Sequence, residues 1–310
     1  MTRWILALDG GGIRGAASAR FLALLEAELG RPLSQVFDLY AGTSTGAIIA
    51  GALGIKGMSA REISSLYAPD NASTIMDKSP WDRVAGLIQS APKYDGSGKR
   101  KVLDRYFGKT TLGEARRPTL IVAYDVEKRV SAVLKTTNPE HHRLLAAEAI
   151  DASSAAPIYF PTVPVGGRWL IDGGVVANNP TLCAYAEAIR LWRGEELRVL
   201  SVGTGRRTRK IQGKASRDWG ALGWIQHDLL GVVMDESVVE YQAWTILGDN
   251  AYVRVNSDLT EATCVYDDLD ETSASNLEAL ERLGDAWFAQ YGPAALALLA
   301  GAGKPSPAQA

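Results

Sequence analysis

The first 56 residues carry one arrangement twice: a short apolar run, a glycine-flanked loop and a segment of helical period. Residues 3–8, Arg-Trp-Ile-Leu-Ala-Leu, form a near-continuous apolar run that suits a strand buried on both faces. Asp9-Gly10-Gly11-Gly12-Ile13-Arg14-Gly15 follows. Phe21, Leu22, Leu25 and Leu29 then recur at helical spacing, closed by Gly30 and Pro32. A second strand at 38–41 leads into Gly42-Thr43-Ser44-Thr45-Gly46 and a second apolar helix. Two such units in succession predict an α/β fold, a three-layer α/β/α sandwich around a central, mostly parallel sheet. Glycine fills 31 of 310 positions, about 10% against about 7% in an average chain, and many of the extra glycines sit in loops that end strands.

The rest of the chain continues the pattern. Strands are predicted at 119–124 and 130–134, and a helix at 144–152. Another strand ends at Ile171, before Asp172-Gly173-Gly174. Asn179-Pro180 opens a helix to Trp192, with proline near its first turn. A strand at 197–202 ends in Gly203-Thr204-Gly205. Residues 70–117, preceded by Pro69 and carrying Pro80, Pro92, Gly96-Ser97-Gly98 and the run Lys99-Arg100-Lys101, read as a helical cap insertion. Residues 206–250 read as a second insertion of loop and helix. A helix at 276–291 sets Leu277, Leu280, Leu283 and Trp287 at core spacing, with Ser275 and Glu278 offering a capping box. Neither repeat nor linker is visible, so one catalytic domain over 1–300 is expected, with 301–310 a disordered tail.

Charge and composition exclude several functions. A net charge of −2 argues against nucleic-acid binding, which needs a broad basic surface. Cys183 and Cys264 cannot build a disulfide framework and lack metal-ligand spacing. Each reads as a small buried hydrophobe. His141, His142 and His227 are the only histidines, and two are adjacent, so neither a metal site nor a cofactor is expected. No run reaches the roughly 18 apolar residues of a membrane span, and no secretory leader is apparent. A cytoplasmic protein with transient, peripheral membrane contact is the expectation.

Three loops carry the chemistry. Gly42-Thr43-Ser44-Thr45-Gly46 fits the G-x-S-x-G elbow, which presents a serine on a strained turn between strand and helix. The alternative is a serine that merely caps a helix. The glycines at 10–12 leave backbone N–H groups unshielded, able to cradle an oxyanion or a phosphate. Gly10, Gly12 and Gly15 also satisfy G-x-G-x-x-G, which makes a dinucleotide-binding domain the rival. That rival needs an acidic residue at the end of the second strand, where this chain has Ala41 and the serine loop. A serine nucleophile needs a base. The histidines lie in a polar loop and an apolar helical stretch, so Asp172 is the candidate, expected to leave its strand at the same carboxyl edge as Ser44.

Taken together, residues 4–205 resemble the patatin-like phospholipases. The resemblance rests on Asp-Gly-Gly-Gly-x-Arg-Gly at 9–15, Gly-Thr-Ser-Thr-Gly at 42–46, and Ser154-Ala155-Ala156-Pro157 running into Tyr159-Phe160-Pro161. It extends to Asp172-Gly173-Gly174 with Asn178-Asn179-Pro180. It implies a lipid acyl hydrolase of phospholipase A or lysophospholipase type, a serine hydrolase of carboxylic esters. Ser44 would be the nucleophile and Asp172 the base, with no histidine. Gly10, Gly11 and Gly12 would supply the oxyanion hole. Arg14, Gly42, Gly46, Gly173 and Gly174 would support it. The substrate would be an acyl lipid at a membrane surface. Some bacterial members of this family wait for a cyclic nucleotide, so an activator of that class is a second expectation.

Two further stretches bear on the substrate. Ile158, Tyr159, Phe160 and the helix at 47–55 are candidates to wall an acyl groove. Arg206, Arg207, Arg209, Lys210, Lys214 and Arg217 set six cations within twelve residues, just ahead of Trp219 and Trp224. Either they are a solvated loop or they bind an anionic headgroup or phosphorylated regulator, with Arg206, Arg207, Arg209 and Lys210 the first candidates.

Overall fold

The computed structural model describes residues 1–76, 91–208, 210–211 and 213–300. Arg209, the middle of the first cap insertion and the tail at 301–310 lie outside the described residues. In chain order the strands are β1 (Thr2–Leu8), β2 (Leu39–Thr43), β3 (Thr119–Asp125), β4 (Val130–Lys135), β5 (Val163–Val165), β6 (Arg168–Asp172), β7 (Glu196–Val202), β8 (Arg206–Arg207), β9 (Tyr252–Val255) and β10 (Asp258–Leu259). The helices are α1 (Gly15–Leu29), α2 (Thr45–Gly51), α3 (Ala60–Ser64), α4 (Pro69–Ile75), α5 (Ser97–Phe107), α6 (Ala146–Ser153), α7 (Gly174–Ala177), α8 (Thr181–Leu191), α9 (Gly213–Ser216), α10 (Ala221–Gln226), α11 (Leu229–Val233), α12 (Ser237–Leu247) and α13 (Ala274–Leu298).

The main sheet follows the path β5–β6–β3–β2–β1–β7–β9, with β4 also paired to β3. β1, β2, β3, β7 and β9 are parallel, so their carboxyl ends share one edge. The two-residue period of β1 explains its unbroken apolar run. Ile5 and Ala7 face a core shared with Ala184 and Ala188 of α8 and Ala243 of α12. Leu6 and Leu8 face a larger core with α1, α2, α6 and α13. Helices therefore cover both faces, in the three layers expected.

β4, β5 and β6 run antiparallel, and this corrects one expectation. Asp172 does come to lie beside Ser44, but β6 brings it there from the opposite direction, running against β2 and β3 rather than ending with them at a shared carboxyl edge. β4 occupies one edge of β3 from Leu120 to Asp125. β2 pairs with the other edge as far as Val122, and β6 takes over that edge from Ala123. The two strands thus meet end to end, Thr43 opposite Val122 and Asp172 opposite Ala123.

Other boundaries differ for identifiable reasons. β9 lies just past the 206–250 stretch, where no strand was predicted. α13 is capped by Ser273, whose side chain accepts from the Asn276 N–H, rather than by Ser275. It also runs on through Pro293 to Leu298. The turns beyond the proline are held by packing, with Ala295, Leu298 and Leu299 buried, and the Leu298 carbonyl accepts from the Trp4 indole at 3.0 Å. Cys264 is exposed, not buried, in a left-handed conformation.

Candidate active site

Ser44 has φ 55° and ψ −123°, a strained conformation for a residue with a side chain, between the end of β2 and the start of α2. The turn is tight enough to require its glycines. A Cβ on Gly42 would lie 2.2 Å from the Gly46 carbonyl oxygen, and one on Gly46 would lie 2.1 Å from that of Leu8. This is elbow geometry rather than an ordinary cap: the Ser44 side chain accepts no capping bond from α2.

Asp172 is 1% exposed. Its Oδ1 accepts from the Gly174 N–H at 2.7 Å, while Oδ2 is buried with no hydrogen-bond partner among the described residues. Burial pushes its pKa up to about 6, against the opposing pull of the Gly174 N–H, the neighbouring Ser44 hydroxyl and the Lys99 charge. A carboxyl so tuned is a far better base near neutrality than an ordinary aspartate.

The tip of α6 holds Ser44 and Asp172 in register. Ser153 Oγ accepts from the Ser44 N–H at 3.0 Å and donates to the Val122 carbonyl at 2.5 Å. The Ser153 and Ala155 carbonyls accept from the N–H groups of Gly173 and Asp172, at 3.3 and 3.0 Å. Lys99 of α5, buried, then pins that tip. Its Nζ donates to the carbonyls of Asp151 and Ser154 at 3.0 and 2.8 Å, pairs with the Asp151 carboxylate at 3.1 Å, and lies 4.2 Å from the Phe160 ring centroid. Burial lowers the Lys99 pKa. Sequence reasoning missed Ser153 and Lys99. The only signal was a lysine inside a cationic run, indistinguishable there from a solvated one.

The glycine loop lies against Ser44: a Cβ on Gly10 would be 3.1 Å from Ser44 Cβ. The Gly10 N–H is already committed to the Asn178 carbonyl at 3.1 Å. Gly10 therefore does not offer the donor expected of it. The N–H groups of Gly11 and Gly12 bond to no acceptor among the described residues. Gly12 has φ 59°, and a Cβ there would lie 2.1 Å from the Leu269 carbonyl oxygen. Arg14, 6% exposed, braces the loop by donating to the Gly11 and Gly205 carbonyls at 3.3 and 2.9 Å. Burial, with Arg207 nearby, lowers its pKa to about 10.

A second brace was not foreseen. Asp9 opens the loop and is fully buried against Arg254 of β9, whose Nη1 donates to Asp9 at 2.9 Å and to the Ser201 hydroxyl at 2.8 Å. Glu236 accepts from Arg254, Asn256 and Asn178 at 3.0, 2.7 and 3.0 Å. The segment entering α12 is thereby tied to the loop that faces Ser44.

Ser44, Asp172 and Lys99 open on an apolar cavity walled by Ile48, Leu66, Ile75, Met76, Tyr159 and Phe160. Ile158 does not line it and is 42% exposed. No histidine lines it. His227 instead stacks on Trp219, with centroids 3.8 Å apart. Of the cations at 206–217, Arg206 pairs with Asp258 and Glu240, and Arg207 with Asp228. Lys210 lines a separate cavity with Arg207, Trp219 and His227. Among the described residues no cluster of three or more acidic, histidine or cysteine side chains could hold a metal, and no helix is long and apolar enough to cross a membrane.

Comparison with known proteins places the chain in a family. The family model described as Patatin-like phospholipase matches residues 6–185. A cGAMP-activated phospholipase of Pseudomonas aeruginosa (strain BWHPSA011 / Pa011) is 32% identical over 262 residues, covering 81% of this chain and 77% of its own. Patatin-like protein 2 of Arabidopsis thaliana is 28% identical over 333 residues, covering 91% of this chain and 81% of its own. Among solved structures, VipD from Legionella pneumophila aligns with 92% of this chain and 67% of its own at 13% identity, with a TM-score of 0.47. The family match displaces the dinucleotide-binding reading of Gly10, Gly12 and Gly15: the chain belongs to the patatin-like phospholipase family.

Proposed function

We propose that this chain hydrolyses carboxylic esters of membrane glycerolipids through Ser44 and Asp172. The observation that carries this is the orphaned, buried Oδ2 of Asp172 beside a serine on a strained elbow, in an apolar cavity without histidine. Ser44 Oγ attacks the ester carbonyl carbon and Asp172 takes its proton. The N–H groups of Gly11 and Gly12 receive the oxyanion. As the tetrahedral intermediate collapses, the C–O bond to the alcohol breaks and Asp172 returns the proton to that oxygen. A water molecule then attacks the acyl-enzyme, gives a proton to Asp172, and Ser44 leaves reprotonated as the fatty acid is released. Ser44→Ala and Asp172→Asn should each lower fatty-acid release from mixed phospholipid vesicles by at least about a thousandfold with an unchanged circular dichroism spectrum. Full activity in either variant rejects the dyad.

A second reading concerns regulation. The Pseudomonas relative is named for activation by cGAMP, and the cavity lined by Arg207, Lys210, Trp219 and His227 offers cationic and aromatic groups suited to a cyclic nucleotide. Arg206 and Arg209 extend the same cationic stretch. A panel of cyclic nucleotides added to the vesicle assay should raise hydrolysis at least tenfold for one member. Equal rates with and without every member reject activation.

A further inference from the structure

The helices that follow the cationic stretch are inside out. Leu222 and Ile225 in α10, and Leu229, Val232 and Val233 in α11, lie three and four residues apart within their own helices, the spacing of a core-facing stripe. Yet neither α10 nor α11 buries a single residue. Exposure reaches 76% at Leu222 and 50% at Val233. α11 packs on α7, which begins two residues after Asp172 and exposes Val176. Met234, directly after α11, lines the cavity that holds Ser44 and Asp172. Lys210, Lys214 and Arg217, all exposed, lead into the stripe.

We infer that α10 and α11 form the face by which the protein lies on an anionic phospholipid surface, with the stripe in the acyl boundary and the flanking cations at the phosphates. Two observations favour lipid over a second copy of the chain. The cations complement anionic headgroups at the edge of the stripe. The stripe is also continuous, through Met234, with the apolar cavity at Ser44, so a docked face sets that cavity beside the acyl chains. Exposed apolar side chains flanked by cations bind a bilayer in this interfacial way, the apolar groups in the acyl boundary and the cations at the phosphates.

The inference rests on the lipid-hydrolase reading above, and the test separates the two. Leu222→Asp/Ile225→Asp and Lys214→Gln/Arg217→Gln are compared with wild type and with Ser44→Ala. Binding is read by co-sedimentation with phosphatidylglycerol/phosphatidylcholine vesicles, and activity on those vesicles and on soluble p-nitrophenyl butyrate. The apolar double variant should lose at least tenfold in vesicle binding and vesicle hydrolysis while cleaving the soluble ester at the wild-type rate. The cationic double variant should lose binding in proportion to phosphatidylglycerol content. Ser44→Ala should still bind. Undiminished vesicle binding by the apolar variant, or a dimer in sedimentation velocity that this variant dissociates without losing vesicles, overturns the docking face. Full soluble-ester cleavage by Ser44→Ala instead overturns the serine chemistry and leaves the docking result standing.

Discussion

Asp172 is held between two opposing demands. Burial favours its neutral form, whereas the role of base proposed for it needs the ionised form, and the balance falls at about 6. Below that pH the carboxyl keeps its proton and cannot accept one from Ser44. The kcat/KM for a soluble ester should therefore fall as pH drops through about 6, roughly tenfold per unit in the acid limb. Lys99 pulls in the other direction, favouring the carboxylate. Replacing it with methionine should move that limb to higher pH, which a pH–rate profile reads directly. An unmoved limb would leave Lys99 as packing alone. Ser44 and Asp172 were legible in the sequence because each sits in a local turn whose glycines announce it. Ser153, Lys99 and Arg254 were not. They act across 109, 55 and 245 positions of chain, and nothing local distinguishes a serine or lysine that will be drawn to a carbonyl so far away.

Among the elements, β9 shows where periodicity runs out. Tyr252–Val255 has four residues, buried only at its two ends, so it presents neither an alternating nor a continuous apolar signature. It falls between the 206–250 insertion and the helix at 276–291, where the pattern predicts no element. Its weight in the fold is larger than its length, because Arg254 neutralises Asp9 beneath the glycine loop. Arg254→Met would strand a buried carboxylate, at a cost of about 3–5 kcal/mol by analogy with other broken buried pairs. It would also loosen Gly11 and Gly12. Thermal unfolding should show the loss of stability, and kcat should fall more than KM rises, since an oxyanion forms only on the way through the reaction. β1 and β2, by contrast, were legible because a strand covered on both faces must be apolar along its length. The three-layer architecture followed from those two units alone.

For the molecule as a whole, the direction of Asp172's strand is where the reading from residue patterns fails: β6 runs antiparallel to β3, not with it. Parallel and antiparallel strands of five residues look alike in sequence. Only the partners decide, and β6 finds its partner through the hairpin that precedes it. That hairpin turns on Gly166 and Gly167, with φ of 56° and 75°, as a two-residue connection between antiparallel strands requires. β2 and β6 then approach each other head-on along β3. The consequence is a constraint on length more than on identity. One residue added to a strand is about 3.3 Å of travel and turns every later side chain to the opposite face. An alanine inserted between Leu170 and Ile171 should abolish ester hydrolysis while the protein still folds, as circular dichroism and cooperative melting can report. The same insertion between Gly166 and Gly167 lies upstream of the register and should retain most activity. Substitutions along β2 and β6 can thus drift within the limits of packing, whereas the number of residues in each works as a fixed gauge that sets the gap between serine and aspartate.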